Sequence, residues 1–246
     1  MEIWGHRGAS GYAPENTLSA FQLAVEQGAN GVELDVQMTK DAQIVVCHDE
    51  TINRTSDGSG YIKDMTLEQL KQFNFGNGHG TEEKIPTIDE VLEVLGAYSL
   101  PDFTINIELK NNVYQYYGME ERLLDIVHRK GFDRKVLYSS FNHFSMQKIK
   151  AIKPDARVGL LYSDGFVQMP EYCKALGIPI LHPNIYTFLG SDIAKKCEEE
   201  NIQVNVWTVN DDDDFERLAR MNIHAIITNY PKEAIKYFKN YEKGLL

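Results

Sequence analysis

Along most of this chain, short apolar runs of strand type alternate with stretches of helical periodicity, and no other property limits the possible folds as strongly. Strand-like runs fall at 3–5, 32–37, 104–109, 136–139, 158–161, 178–181, 203–207 and 225–228. Helical spacing of apolar residues covers about 17–27, 88–95, 119–130, 143–152, 170–176, 191–200, 213–221 and 232–241. Such alternation requires parallel strands joined by crossover helices, and eight units in 246 residues match the size of a closed (β/α)8 barrel. An open doubly wound sheet normally carries a G-x-G-x-x-G turn after its first strand, and Gly8-Ala9-Ser10-Gly11 lacks that spacing. With no internal repeat or linker, residues 1–246 read as one domain.

One segment breaks the rhythm. Residues 50–84 are rich in Gly, Ser, Thr, Asn and Asp, and hold one convincing helix, at 66–73, opened by a Thr-x-x-Gln capping box. A long excursion of this kind is more often functional than a spacer, so an insertion or lid above the barrel is expected. Just before it, residues 44–49 return from the second strand through a short link, and a turn near Lys40-Asp41 sets His48 roughly opposite Glu33. Side chains alternate along a strand, so Glu33 and Asp35 share one face while Val32, Leu34 and Val36 take the other. Glu108 and Lys110 share a face in the same way.

Composition removes several function classes. A formal net charge of −11 argues against a nucleic-acid or anionic-membrane surface, so an anionic substrate would need a local basic pocket. Three cysteines, Cys47, Cys173 and Cys197, at unrelated spacings argue against both a disulfide framework and a thiolate metal site. The N-terminus shows no basic segment followed by an apolar run and no stretch is long enough to span a bilayer, so a cytoplasmic protein without stable membrane association is expected.

In a barrel the chemistry sits at the C-terminal ends of the strands, where this chain places His6, Arg7, Glu33, Asp35, His48, Asp49, Glu108 and Lys110. Glu33, Asp35 and Glu108 form a hard oxygen set suited to one divalent cation, Mg2+ or Ca2+. Arg7 and Lys110 suit an anionic group, and His6 and His48 suit proton transfer in phosphodiester cleavage. His79, His128, His143, His182 and His224 read as structural, and the run Asp211 to Asp214 as a helix cap and first turn.

These motifs, His6-Arg7-Gly8, Pro14-Glu15-Asn16-Thr17, Glu33-Leu34-Asp35, His48-Asp49, Glu108-Leu109-Lys110 and Val206-Trp207-Thr208-Val209-Asn210, resemble in order and spacing the signature of the glycerophosphodiester phosphodiesterases. The resemblance implies a (β/α)8 TIM barrel of the phospholipase C-like phosphodiesterase type, with its small insertion after the second strand's hairpin. It implies cleavage of small glycerophosphodiesters to glycerol 3-phosphate and an alcohol, with His6 and His48 as the acid–base pair. Glu33, Asp35 and Glu108 would bind the metal, Arg7 and Lys110 the phosphate, and Trp207 would line the glycerol side. Asn229 and Asn142 stand where the family usually has Asp, and both are expected to lie outside the metal and histidine set. Two rivals are a lysophospholipase D-like activity, which would need an apolar rim on the insertion, and a non-catalytic barrel that binds the diester.

Overall fold

The apolar runs form strands in the parallel order that crossover helices impose. The computed structural model describes residues 1–76, 78–98 and 100–245; Asn77 of the insertion lies outside the described residues, as do Ser99 and Leu246. The strands are β1 (Glu2–His6), β2 (Gly31–Met38), β3 (Ile44–Val46), β4 (Thr104–Leu109), β5 (Val136–Ser140), β6 (Arg157–Tyr162), β7 (Ile180–Pro183), β8 (Gln203–Val206) and β9 (Ala225–Thr228). All but β3 pair in parallel, in the order β1-β9-β8-β7-β6-β5-β4-β2, and a β1–β2 pairing closes the ring. The fold is a (β/α)8 TIM barrel.

The helices are α1 (Leu18–Glu26), α2 (Leu67–Leu70), α3 (Ile88–Gly96), α4 (Met119–Arg129), α5 (His143–Ile152), α6 (Met169–Leu176), α7 (Ile185–Leu189), α8 (Ile193–Glu199), α9 (Asp212–Ala219) and α10 (Pro231–Glu242); α2 belongs to the segment 50–84 and the others pack around the barrel. Their starts are set by side-chain caps: Thr17 accepts from the Ala20 amide, Thr87 and Glu90 form a reciprocal box, and Asp211 accepts from the Asp214 amide. The Asp211 to Asp214 run is thus a cap and first turn. α7 has no counterpart in the sequence reading, because a helix of one turn capped by Asn184 is too short to show periodicity.

The outward strand residues, such as Val32, Leu34, Val36, Ile105, Ile107 and Leu109, are fully buried under the helices. Burial of side chains this size is worth about 1.5–3 kcal/mol each. Inside the barrel a smaller apolar cluster of Trp4, Leu137, Ile180, Ala225 and Ile227 forms, with Trp207 packed against it. Trp4 fits because its neighbour in register is Gly31, where a Cβ would lie 2.7 Å from the indole.

β2 extends beyond the end of β1, and the edge so freed is taken by β3 in antiparallel pairing. The register differs from expectation: Val36 pairs with Val46 and Met38 with Ile44, so extrapolation sets His48 opposite Leu34 rather than Glu33. The cause is the turn, closed by the Thr39 amide on the Gln43 carbonyl and centred on Asp41, with Ala42 left-handed at φ 60. The ladder ends at Val46, so a loop delivers His48.

The insertion builds its own core from Ile52, Ile62, Leu70, Phe75 and Ile85, packed with Val45 and Cys47 of the hairpin. Its helix is shorter than the expected 66–73, although the Thr66–Gln69 capping box is present. The chain turns early because Asn74 must pair with Asp57, amide to side chain at 2.8 Å and carbonyl to amide at 3.0 Å.

Candidate active site

Parallel pairing in register brings the polar residues of the first, second and fourth strands to one end of the barrel. His6 aligns with Glu33 across β1 and β2, Glu33 with Asn106 and Asp35 with Glu108 across β2 and β4. Each carboxylate of Glu33, Asp35 and Glu108 offers an oxygen within 4.8 Å of the others, and all three are buried. A cavity of about 250 Å³ is lined by His6, Arg7, Glu33, His48, Glu108 and Trp207, together with Asn106 and Phe141. Asp35 and Lys110 stand behind that wall, Asp35 against Arg7 and Lys110 against Glu108 and His48. All eight candidate residues are thus assembled at one site.

The loop after β1 sets the first arc. Arg7 turns left-handed at φ 56, so its own amide donates to Glu33 Oε2 at 3.0 Å. Gly8, at φ 80, lies where a Cβ would strike the Ala20 backbone at 2.6 Å, so this loop can only close with glycine. The Arg7 guanidinium meets Glu15 at 2.8 Å and Asp35 at 3.4 Å. Asn16 donates to Asp35 Oδ2 at 2.9 Å.

The second arc comes from the hairpin return and β4. His48 Nδ1 lies 2.7 Å from Asp49 Oδ1, and its Nε2 lies 3.2 Å from Lys110 Nζ. Lys110 donates to Glu108 at 2.8 Å. His6 Nδ1 lies 2.6 Å from Asn229 Oδ1, and its Nε2 faces Glu33 at 3.9 Å.

Burial and crowding decide the charges. Burial first, then Asp35 and Glu108, push Glu33 well above the usual carboxylate range. Burial and Asp35 raise Glu108 to about 7, against the pull of Lys110. Burial also opposes ionisation of Asp35, yet Arg7, His48, Lys110 and Asn16 hold it below its ordinary value. Burial and Arg7 lower His6 to about 4. Three carboxylates this close repel one another when ionised, so their own electrostatics call for a cation. The donor set is all oxygen with no thiolate, which fits a hard divalent ion.

One site residue went unread in the sequence and another was misplaced. Asn106, 1 % exposed, lines the cavity, and its Oδ1 has no hydrogen-bond partner among the described residues. The period-two spacing to Glu108 could have found it. Asn229 contradicts the expectation that it lies outside the histidine set. β9 pairs with β1 so that Thr228 aligns with Gly5, and the next residue on each strand brings Asn229 to His6. Asn142 does stay outside that set, capping α5 and donating to the Asn111 carbonyl.

The remaining candidates are placed as follows. Trp207 donates to the His182 carbonyl at 2.7 Å and meets Phe141 edge-on with ring centroids 5.7 Å apart. His182 is fully buried against Asn205 and lowered to about 3 by burial, as suits a packed residue. His143 bridges the Leu161 carbonyl and the Tyr172 hydroxyl.

A TIM barrel with a buried carboxylate triad, two imidazoles and two cations at its C-terminal mouth is built as a hydrolase of phosphoric diesters. The family is then given by comparison: a sequence model of the glycerophosphoryl diester phosphodiesterase family matches residues 6–233, and the chain belongs to that family. It is 39% identical over 236 residues to a glycerophosphodiester phosphodiesterase of Caldanaerobacter subterraneus, covering 95% of this chain and 96% of that one. A glycerophosphodiester phosphodiesterase of Bacillus altitudinis is 35% identical, with 96% and 97% covered. An Oleispira antarctica phosphodiesterase solved with its product sn-glycerol-3-phosphate superposes with a TM-score of 0.87 at 30% identity, covering 97% of each chain. The protein is an enzyme, a glycerophosphodiester phosphodiesterase.

Proposed function

We propose that the protein hydrolyses small soluble glycerophosphodiesters, such as glycerophosphocholine and glycerophosphoethanolamine, to sn-glycerol 3-phosphate and the head-group alcohol. One divalent cation, Mg2+ or Ca2+, and the pair His6 and His48 carry the reaction in this reading. The observation that supports it most is the gathering of three buried carboxylates, with oxygens within 4.8 Å of one another, at a cavity that two imidazoles line.

Glu33, Asp35 and Glu108 hold the cation. When bound, it supplies a Lewis acid for a phosphoryl oxygen and offsets the charge of the triad. Arg7 and Lys110, each already beside a carboxylate, turn their remaining donors to the phosphate, Arg7 as a fork and Lys110 as a point charge. With the Asn229 amide oxygen accepting, His6 Nδ1 carries the proton and Nε2 is left free as a base. A pKa near 4 keeps that imidazole neutral at pH 7. Asp49, accepting from His48 Nδ1, fixes that ring's orientation, and its Nε2 is the nitrogen that passes a proton to the leaving alkoxide. His6 is therefore read as base and His48 as acid, and Trp207 lines the glycerol side.

The test is release of sn-glycerol 3-phosphate from glycerophosphocholine by metal-stripped protein, with and without Mg2+ or Ca2+, beside His6→Ala and Glu108→Ala. Cation-dependent release, reduced by at least about 10³-fold in both variants, is expected. Binding of the diester without cleavage under any divalent metal would replace this reading with that of a non-catalytic binding barrel.

One observation favours a second reading, a lysophospholipid substrate. Phe166, Val167, Met169 and Tyr172 line a groove of about 730 Å³, and Phe144 and Tyr186 are exposed as well. All belong to segments that follow β5, β6 and β7, on the same end of the barrel as the site. This apolar rim lies there rather than on the insertion, to which only Tyr61 adds a large exposed apolar side chain among the described residues. Choline release, the product common to lysophosphatidylcholine and glycerophosphocholine, separates the two: a kcat/KM for lysophosphatidylcholine above that for glycerophosphocholine favours the lipid.

A further inference from the structure

The exposed Arg54 belongs to the insertion, beyond the motifs that carry the chemistry, yet its guanidinium grips two carboxylates at once. Nη1 donates to Glu15 Oε2 at 2.6 Å and Nη2 to Glu15 Oε1 at 2.9 Å. Nε donates to Asp49 Oδ2 at 2.8 Å and Nη2 to Asp49 Oδ1 at 2.9 Å. Both forks are two-pronged, the geometry that a planar guanidinium offers and an ammonium does not. Each carboxylate then passes the constraint inward. Glu15 Oε1 also receives Arg7 at 2.8 Å, and Asp49 Oδ1 also contacts His48 Nδ1 at 2.7 Å.

We infer that Arg54 is a positioning residue, through which the insertion fixes both the phosphate-side Arg7 and the proton-donating His48. The inference rests on the roles proposed above for those two residues. Asp49 stays anionic because the Arg54 fork holds its carboxyl down at about 2, against burial, so His48 always meets an acceptor at Nδ1. Glu15 is likewise held below its usual range, burial opposing and Arg54 and Arg7 prevailing. Ion pairs with an arginine half in solvent contribute little to folding stability, and the Arg54 side chain is 48% exposed. Its removal should therefore show in kinetics before it shows in stability.

Glycerophosphocholine hydrolysis by the cation-loaded protein tests this. Arg54→Ala is expected to lower kcat and raise KM together, for a fall in kcat/KM of about 10²-fold. Asp49→Asn should reproduce the loss in kcat, and Glu15→Gln the rise in KM. In the double variant Arg54→Ala/Asp49→Asn, kcat should fall no further than in Asp49→Asn alone. Arg54→Lys should recover part of the loss, and millimolar guanidinium should recover part of it in Arg54→Ala, because the site is open to solvent. Two results overturn the role: Arg54→Ala within about twofold of the unmodified protein in both constants, or a loss that neither lysine nor guanidinium restores and that follows a lowered denaturation midpoint. If Arg54→Ala does not fold, Arg54→Lys and the Asp49→Asn and Glu15→Gln arms decide on the same kinetic split. An unmodified protein that never cleaves the diester would remove the proposed site and this inference together, whereas cleavage unaffected by Arg54→Ala removes this inference alone.

Discussion

The titration of the triad ties stability to the cation at the scale of single residues. Glu33 and Glu108 have carboxyl groups raised above their ordinary value, Glu108 to about 7. A raised carboxyl binds its proton more tightly folded than unfolded, so its contribution is complete below the unfolded pKa and is lost as pH rises through the folded one. For Glu108 the window runs from 4.5 to about 7 and is worth on the order of 3 kcal/mol. The metal-free protein should thus lose stability across that window, and Mg2+ or Ca2+ should restore it on the alkaline side. Ligation needs the carboxylate form, so cation binding at about pH 6 should release protons, visible by calorimetry in buffers of different ionisation enthalpy. Proton uptake, or none, would contradict the assignment. His6, depressed to about 4, acts in the opposite sense by disfavouring the fold as pH drops below 6.5, and Glu108→Gln separates the two. Glu33 and Asp35, and Glu108 with Lys110, were legible because strand period two sorts alternate residues onto one face, and His6, Arg7 and His48 because they follow directly on apolar strand runs. Asn229 was not, because its partner His6 is 223 positions away and only barrel closure brings them together.

At the scale of elements, the insertion is held by packing rather than by regular structure. Ile52 is fully buried among Ile62, Leu70, Phe75 and Ile85, and the same cluster takes in Cys47, the neighbour of His48. Ile52→Ala should cost about 2–5 kcal/mol in urea denaturation, because this small cluster has few ways to close a cavity. Activity should fall as well, since the cluster anchors the loop that carries His48 and Arg54; an unchanged kcat/KM in folded protein would detach the insertion from the site. The Thr66 and Thr87 capping boxes were legible as local sequence patterns. The length of α2 was not, because the tertiary pair Asp57 and Asn74 ends that helix, and the hairpin register was missed by one because the turn centres on Asp41. Local signals located these elements, and nonlocal contacts set their limits.

For the whole molecule the decisive event is closure, where the last strand meets the first. β9 pairs with β1 over Glu2 to Gly5, and α10 covers that seam while packing on α9. The contact is aromatic: Phe215 lies with ring centroids 5.5 Å from Tyr237 and 5.7 Å from Phe238, and is 1 % exposed. The alternation of strands and helices made the barrel legible without any such contact, since parallel pairing of eight units leaves few other arrangements. If closure is what makes the barrel one cooperative unit, damage at the seam must reach every strand. Phe215→Ala should then cost about 3–5 kcal/mol and move the whole urea transition to lower concentration. Two tryptophans make this checkable, because Trp4 sits inside the barrel and Trp207 at its mouth. Their fluorescence and the far-ultraviolet circular dichroism should shift together with one midpoint, as a two-state transition requires. Helical signal lost at lower urea than the tryptophan signal would mean that α9 and α10 peel away from a barrel that stays shut without them.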